Sequence, residues 1–175
     1  VKSGELVPAD EDTCVEEYNA LLAAAEEAGF VHYEISNFAL PGFLSRHNSG
    51  YWNGTPYLGV GPGAHSFDGE CRRHNLPLLA EYLGCEEGDV PHTLERLDRT
   101  ELINEMIFTS LRTRQGLDME LLAERFGQEV KDETLRLARP HLAAGKLELQ
   151  EGRLRLTKQG ILVSDDIMSD LMQLA

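Results

Sequence analysis

At residues 147–156 the chain reads LELQEGRLRL, and this stretch decides the fold of the C-terminal half. Leucines alternate with polar residues on both sides of Glu151-Gly152, which is typical of two short strands joined by a tight turn. Three helices followed by a hairpin is the order of a winged-helix domain, which we predict over 93–175. The three helices are predicted from apolar residues that recur at helical spacing near 99–112, 118–126 and 129–143.

The predicted C-terminal domain has two further features. Pro140 is expected to interrupt the third helix, because proline lacks a backbone N–H and clashes with the preceding turn. A last helix is predicted near 158–174. Winged-helix folds often bind DNA, but the third helix balances basic against acidic side chains. We therefore interpret the domain as a module for protein interaction or for covering a site.

The composition restricts the classes of partner and location. The chain has 175 residues, 16 Lys and Arg against 30 Asp and Glu, and a formal net charge of −14. This charge repels phosphate backbones, so nucleic acid is not an expected partner. No apolar run approaches the roughly 20 residues of a membrane helix, and no basic-then-apolar signal region opens the chain. We expect a cytoplasmic protein without an integral membrane segment.

The cysteines and the first residues allow two more predictions, one about thiol chemistry and one about where the chain begins. Cys14, Cys71 and Cys85 are an odd number without a C-x-x-C pair, so neither a disulfide framework nor a zinc site is predicted. We expect reduced thiols. Residues 1–6 contain no initiator Met and run directly into a predicted helix, which suggests that the chain begins inside a larger domain.

The N-terminal half is predicted to mix helices and strands. Apolar residues at helical spacing predict a helix over 12–28, and a β-prone run at 31–35 follows at once. A helix followed by a strand is half of an α/β repeat and predicts a parallel sheet. Residues 37–56 are rich in Gly, Ser, Asn and Pro, which indicates a long aromatic loop. Residues 57–60 then resume a strand.

The loop contains the strongest candidate site. His47, Asn48, Tyr51 and Trp52 place an imidazole, an amide and two large rings within six residues. Imidazole can be an axial iron ligand, and aromatic faces stack on a porphyrin plane, so these residues are candidates for binding heme. In the structural alternative, Tyr51 and Trp52 anchor the loop while the imidazole and the amide form turn hydrogen bonds. The spacing leaves both readings open.

A second candidate region follows the loop. Glycines at alternate positions leave the end of a strand without side chains, which suits either a close ligand or a tight turn. In an α/β barrel, ligands bind at this end of the strands. Glu34 is a candidate acceptor for a ligand amine or hydroxyl, with a solvated strand face as the alternative. The candidate cofactor pocket thus comprises Glu34, Gly59, Gly61, Gly63 and His65.

Four runs resemble one family over nearly the whole chain. The runs are Tyr33-Glu34-Ile35-Ser36-Asn37-Phe38-Ala39, His47-Asn48-x-x-Tyr51-Trp52, Tyr57-Leu58-Gly59-x-Gly61-Pro62-Gly63-Ala64-His65-Ser66 and Leu156-Thr157-x-x-Gly160-x-x-x-Ser164-Asp165-x-Ile167. Their order and spacing resemble the radical SAM family of heme chaperones and oxygen-independent coproporphyrinogen III oxidases.

The resemblance implies an α/β part followed by an α part. Residues 1–66 would be the last segments of a partial (β/α) barrel of the radical SAM type, and 67–92 a connecting segment. Within that segment, the spacing of the apolar residues itself predicts a short helix near 76–83, and the composition predicts a linker at 86–91. The winged-helix-like domain at 93–175 would follow. In the family, the barrel holds a [4Fe–4S] cluster and S-adenosylmethionine.

The resemblance also implies a function. The three cysteines do not reproduce the family's C-x-x-x-C-x-x-C cluster loop, so this polypeptide alone is not expected to bind the cluster or cleave S-adenosylmethionine. The His-Asn-x-x-Tyr-Trp run is associated with the heme chaperones, which implies heme binding, with His47 as candidate iron ligand, and transfer to heme-acceptor proteins. A homodimer is possible. The alternatives are a coproporphyrinogen III oxidase, which decarboxylates propionate side chains by a radical route, and a non-catalytic interaction module.

Overall fold

The computed structural model describes residues 8–86 and 89–173, which form eight helices and eight strands. The expected chain start at 1–6 and part of the expected linker at 86–91 lie outside these residues. Helix α1 agrees with the predicted helix within one residue, and the side chain of Asp10 caps it by accepting from the N–H of Thr13 at 2.8 Å. The first elements are α1 Glu11–Glu27, β1 Val31–Glu34, β2 Asn37–Ala39 and α2 Arg46–Trp52.

After strand β1 the chain reverses direction and forms an antiparallel pair, where we predicted a parallel sheet. It pairs with β2 in antiparallel fashion, with Val31 opposite Ala39. Every strand pair among residues 8–86 and 89–173 is antiparallel, so the parallel pairing expected at 31–35 is not observed there. The cause is local, because the carboxylate of Glu34 accepts from the backbone N–H of Ser36 and the amide of Asn37, which stabilises the reversal.

The prediction of a long loop over 37–56 is wrong, since these residues contain both β2 and α2. Helix α2 begins because the hydroxyl of Ser45 accepts from the N–H of Asn48 at 3.1 Å, a helix-capping bond. The strand predicted over 57–60 is also not formed. Only Tyr57 makes a β-bridge, with Phe67, and the next residues run as an irregular, exposed segment.

A small antiparallel sheet connects the two halves of the chain. Its strand order is β3-β4-β5, and β5 crosses position 93, where we placed a domain boundary. The predicted helix near 76–83 corresponds to α3, shifted by a few residues. The elements of this region are β3 His65–Phe67, β4 Cys71–Asn75, α3 Leu79–Gly84 and β5 His92–Arg96.

The C-terminal half follows the predicted order of three helices and a hairpin. Glu151 and Gly152 have φ of 53° and 74°, the left-handed conformation that a tight hairpin turn requires. A third short strand, β6, lies beside β8, giving the order β6-β8-β7. The elements are α4 Arg99–Leu111, β6 Leu117–Asp118, α5 Met119–Phe126, α6 Gln128–Ala143, β7 Leu147–Gln150, β8 Arg153–Leu156, α7 Lys158–Ile161 and α8 Ser164–Leu171.

Two details of this half differ from the prediction. Helix α6 continues through Pro140 to Ala143, because the proline lies in the last turn and removes only one helical hydrogen bond there. The last helix is divided into α7 and α8 by a bend at 162–163, where Val163 leaves helical geometry. Neither change disturbs the packing of α6 and α8 against each other.

The hydrophobic core lies in the C-terminal half. Its members come from α4, β6, α5, α6, β7, β8 and α8, and several are fully buried, including Ile107, Leu122 and Ile167. In the described part of the N-terminal half, Tyr33 is the one large hydrophobic residue that is buried, with 6% of its surface exposed. Among described residues no helix is long and apolar enough to cross a lipid bilayer.

Candidate functional site

Helix α2 presents His47 and Tyr51 on one exposed face. The two residues are one helical turn apart, so their side chains meet. Tyr51 Oη and His47 Nε2 are 3.1 Å apart in a hydrogen bond, and the ring centroids are 4.9 Å apart in an edge-to-face arrangement. Tyr57 extends this surface, with its ring centroid 4.7 Å from that of Tyr51. Burial raises the pKa of the Tyr57 hydroxyl, and the neighbouring Tyr51 adds to the effect.

The other two residues of the motif face the protein. The amide Nδ2 of Asn48 donates to the hydroxyl of Tyr33 at 3.4 Å. The ring of Trp52 lies under the guanidinium of Arg112, whose central carbon is 4.8 Å from the ring centroid. Trp52 Nε1 is buried and has no hydrogen-bond partner among the described residues. The motif therefore has an outer face with an imidazole and a phenol, and an inner face that attaches the helix.

Glu34 lies behind this inner face and is almost completely buried, with 1% of its side chain exposed. Its Oε1 accepts from both Nε and Nη2 of Arg112, at 3.1 and 2.9 Å. Its Oε2 accepts from Ser36 and Asn37. Four donors from the chain itself thus surround the carboxylate that we predicted as an acceptor for a ligand.

The backbone also joins β1 to the end of α4. The N–H of Ile35 donates to the carbonyl of Arg112 at 3.0 Å, and the N–H of Arg114 donates to the carbonyl of Tyr33 at 3.1 Å. The strand that carries Glu34 is thereby fixed to the C-terminal half next to Arg112. Sequence reasoning missed this residue, because nothing near Arg112 in the chain signals a contact with a motif far upstream.

A cleft of about 450 Å³ lies beside the inner face of α2. Helix α2 contributes Ser49 and Trp52 to its wall, and α4 contributes Leu102, Met106 and Thr109. The outer residue His47 is not among those that line it. The helix thus separates the exposed imidazole from a partly apolar space between the two halves.

The alternating glycines form a tight return toward β3. A Cβ on Gly59 would collide with the backbone carbonyl of His65, so the close approach requires glycine. The N–H of Gly59 donates to Ser66 Oγ at 3.0 Å, and the carbonyl of Gly61 accepts from the buried amide of Asn75 at 3.0 Å. Gly61 and Gly63 have φ of 115° and 71°. These contacts are those of a structured turn.

His65 lies on β3, and its ring is stacked on His74 of β4. The ring centroids are 4.2 Å apart and the planes differ by 8°. The two residues face each other across the strand pair, which brings the rings together. His65 therefore contacts His74, a residue to which we assigned no role from the sequence. Both histidines lie on the β3-β4 sheet and neither lies on α2, which carries His47.

The cysteines lie on separate elements. Cys14 is exposed on α1, Cys71 is on β4, and the thiol of Cys85 donates to the carbonyl of Tyr82 at 3.0 Å. Within 8–86 and 89–173, no group of three or more His, Cys, Asp or Glu side chains could hold a metal ion. The residues described here do not fit an iron–sulfur cluster, which requires converging thiolates.

Comparisons with known proteins place this architecture in a family. Residues 97–163 match the sequence model of the HemN C-terminal domain. The heme chaperone HemW of Mycobacterium tuberculosis (strain CDC 1551 / Oshkosh) is 35% identical over 98% of this chain and 43% of the relative. The chain belongs to the HemW- and HemN-like family. It corresponds to the C-terminal part of these proteins.

Further relatives agree with this assignment. HemW of Bacillus subtilis (strain 168) is 28% identical over 95% of this chain and 45% of the relative. The mitochondrial radical S-adenosyl methionine domain-containing protein 1 of Mus musculus is 32% identical over 98% of the chain and 42% of the relative. The chain spans less than half the length of these HemW-like relatives.

A solved structure supports the fold. The coproporphyrinogen III oxidase HemN from Escherichia coli, a radical SAM enzyme, matches with a TM-score of 0.67 and 20% identity. The match covers 89% of this chain and 40% of that chain. The mixed α/β architecture is therefore shared with HemN, and the likeness to HemW carries the functional argument.

Proposed function

We propose that this chain is the heme-binding C-terminal part of a heme chaperone, and that heme is cargo held on the outer face of α2. The observation that carries the proposal is the division of the motif into two faces. His47 and Tyr51 are exposed and in contact, while Asn48 and Trp52 attach the helix to the protein. Relatives of this chain are named heme chaperones, which supports the same cargo.

The chemistry of the outer face suits a cargo that must leave again. The imidazole of His47 can supply a nitrogen ligand to heme iron, and the rings of Tyr51 and Tyr57 can contact the edge of the porphyrin. The side chain of His47 is exposed, so an acceptor protein could approach the same iron. The Tyr51 hydroxyl occupies Nε2 in the free protein, so ligation through this nitrogen requires that the hydrogen bond opens.

The remaining candidate residues are assigned a supporting role. We propose that Glu34, with four donors from the chain, holds neighbouring segments in place and does not accept from a ligand. Gly59, Gly61 and Gly63 shape the return toward β3, where His65 meets His74. Any contact of this turn with a cofactor would come from its backbone.

The finer organisation is also proposed. Residues 8–66 would be the last segments of a partial barrel, and the three helices with β6, β7 and β8 a winged-helix-like domain beginning near 97, where the family match begins. A [4Fe–4S] cluster and S-adenosylmethionine would be bound by the part that the longer relatives have in addition. Transfer to an acceptor protein, a homodimer and a cytoplasmic location remain predictions.

Titration with hemin tests the proposal. The chain contains a single tryptophan, Trp52, so heme binding near α2 should quench its fluorescence while the Soret band shifts. We expect His47→Ala to weaken hemin binding by about tenfold or more, which corresponds to at least ~1.4 kcal/mol. His92→Ala is the matched control, because His92 is also exposed but lies on β5.

Four results would contradict the proposal or parts of it. An unchanged Soret band and affinity in His47→Ala would remove His47 from the heme site. Equal losses in the His47 and His92 variants would indicate nonspecific hemin adsorption. A folded wild-type chain that does not bind hemin would favour the interaction module. Turnover of coproporphyrinogen by a longer, reconstituted protein would instead favour the oxidase.

A further inference from the structure

One arginine contacts both a buried carboxylate and the motif helix. Arg112 follows the last residue of α4, in the half of the chain that matches the HemN C-terminal domain. Two of its nitrogens donate to one oxygen of Glu34, and its guanidinium lies over the ring of Trp52 with the central carbon 4.8 Å from the centroid. The ring of Phe108 is 5.6 Å away. Arg112 is therefore shared between three elements.

The position of this guanidinium is fixed. A buried carboxylate needs a charged partner, and Glu34 has Arg112 in that role. The other oxygen of Glu34 accepts from Ser36 and Asn37, so the carboxylate cannot rotate without losing these bonds. The carbonyl of Arg112 also accepts from the N–H of Ile35. Both the backbone and the side chain of Arg112 are thus held in place by contacts that do not involve Trp52.

Helix α2 needs such a support. It has seven residues, too few to be stable by itself, and it has no fully buried side chain. Its polar contact through Asn48 to Tyr33 is long, at 3.4 Å. The stacking of Trp52 on Arg112 is a second inner contact, and it joins the helix to the end of α4.

We infer that Arg112 is a positioning residue for the outer face of α2, because it fixes Trp52 and through it the orientation of His47 and Tyr51. This inference rests on the proposed function, since it assigns the C-terminal domain a part in forming the heme site. It goes beyond the motif itself, because Arg112 lies outside the motif and its side chain contacts Glu34, Trp52 and Phe108.

The two contacts predict that a lysine would fulfil only one of the two roles of this residue. An arginine offers a planar fork to a carboxylate and a flat face to an indole at the same time. A lysine keeps the positive charge and can pair with Glu34, but it has no plane to stack on Trp52. Arg112→Lys therefore separates the two roles, because the ion pair is retained while the stacking is lost.

The experiment compares Arg112→Lys with the wild-type chain, using thermal melting, Trp52 fluorescence and hemin titration. We expect Arg112→Lys to remain folded but to melt at a lower temperature than the wild type, because a lysine offers Glu34 one point charge in place of two N–H donors. Its emission should shift to longer wavelength and become several-fold more accessible to acrylamide, and hemin affinity should fall by about tenfold. Arg136→Ala is the control, because Arg136 is exposed and pairs within α6 with Glu133. It should change none of the three measurements.

The outcomes are distinguishable. Unchanged emission and quenching in a folded Arg112→Lys variant would overturn the positioning role, whatever hemin does. A changed emission with wild-type hemin affinity would overturn its link to the heme site. If the wild-type chain does not bind hemin at all, the proposed function fails, and the fluorescence of Arg112→Lys still decides whether Arg112 positions Trp52. Should Arg112→Lys fail to fold, thermal melting and hemin titration of Trp52→Leu decide instead, since loss of the aromatic plane in a folded chain should weaken hemin binding by about tenfold and an unchanged affinity would overturn the positioning role.

Discussion

The hydroxyl of Tyr51 occupies the imidazole nitrogen of His47 that heme iron could use. Tyr51→Phe keeps the ring and its edge-to-face contact with His47 but frees Nε2. If iron binds this nitrogen, the variant should bind hemin about two- to tenfold more tightly, because a net hydrogen bond of about 0.5–1.5 kcal/mol no longer competes. Hemin titration followed by the Soret band measures the change, with Tyr82→Phe on α3 as control. Weaker binding would mean that the hydroxyl itself helps to hold heme.

The residues of the motif show what a sequence can predict at this scale. His47, Asn48, Tyr51 and Trp52 could be identified as a unit, because they are close in the chain. Their division into two faces could not, since we predicted a loop and overlooked Ser45 as a helix cap. The contact partner of Trp52, Arg112, could not be predicted from the sequence for a different reason. Their contact depends on how two halves of the chain pack, which local spacing does not encode.

At the scale of elements, α7 lies so close to the hairpin that one residue must be glycine. A Cβ on Gly160 would collide with the backbone carbonyl of Lys146, just before β7. We expect Gly160→Ala to lower the free energy of unfolding by about 2–3 kcal/mol, because backbone must move to accept the methyl group. Denaturant unfolding measures this. Gly84→Ala on α3 is the control, since its Cβ would meet open space and alanine favours helix. Equal stability of the two variants would refute the proposed steric cause.

Elements with local causes were predicted, and those with distant causes were not. The hairpin at 147–156 was predicted because Glu151-Gly152 is sufficient to make the turn. We predicted that Pro140 breaks its helix, because that effect of proline is local. The helix continues because Ala138, two residues earlier, is fully buried, and packing holds the last turn in place. The antiparallel return of β2 depends on the carboxylate of Glu34, and the ion-pair partner of this carboxylate within 8–86 and 89–173 is Arg112, which lies in the other half.

At the scale of the whole molecule, stability is distributed unevenly. The buried cluster runs from Ile103 to Leu171 and joins α4, β6, α5, α6, β7, β8 and α8. Helix α1 has no buried residue, and it is held to the rest by contacts such as the hydroxyl of Tyr18 with the carbonyl of Ile35 at 3.0 Å. The family match at 97–163 coincides with the region that contains most of the core. The N-terminal half and its motif therefore depend on contacts with the C-terminal half for their structure.

We predict that a polypeptide of residues 97–173 folds alone and that one of 8–96 does not. The first contains the buried cluster, whereas the second would leave Glu34 without Arg112, and an unpaired buried carboxylate costs several kcal/mol. Circular dichroism should show a cooperative thermal transition for 97–173 and none for 8–96. Mixing the two tests the same idea further, because 97–173 supplies Arg112 and should shift the Trp52 emission of 8–96 to shorter wavelength. A cooperative transition in 8–96 alone would mean that the motif helix has its support within its own half, and Arg112 would then not be required to hold it.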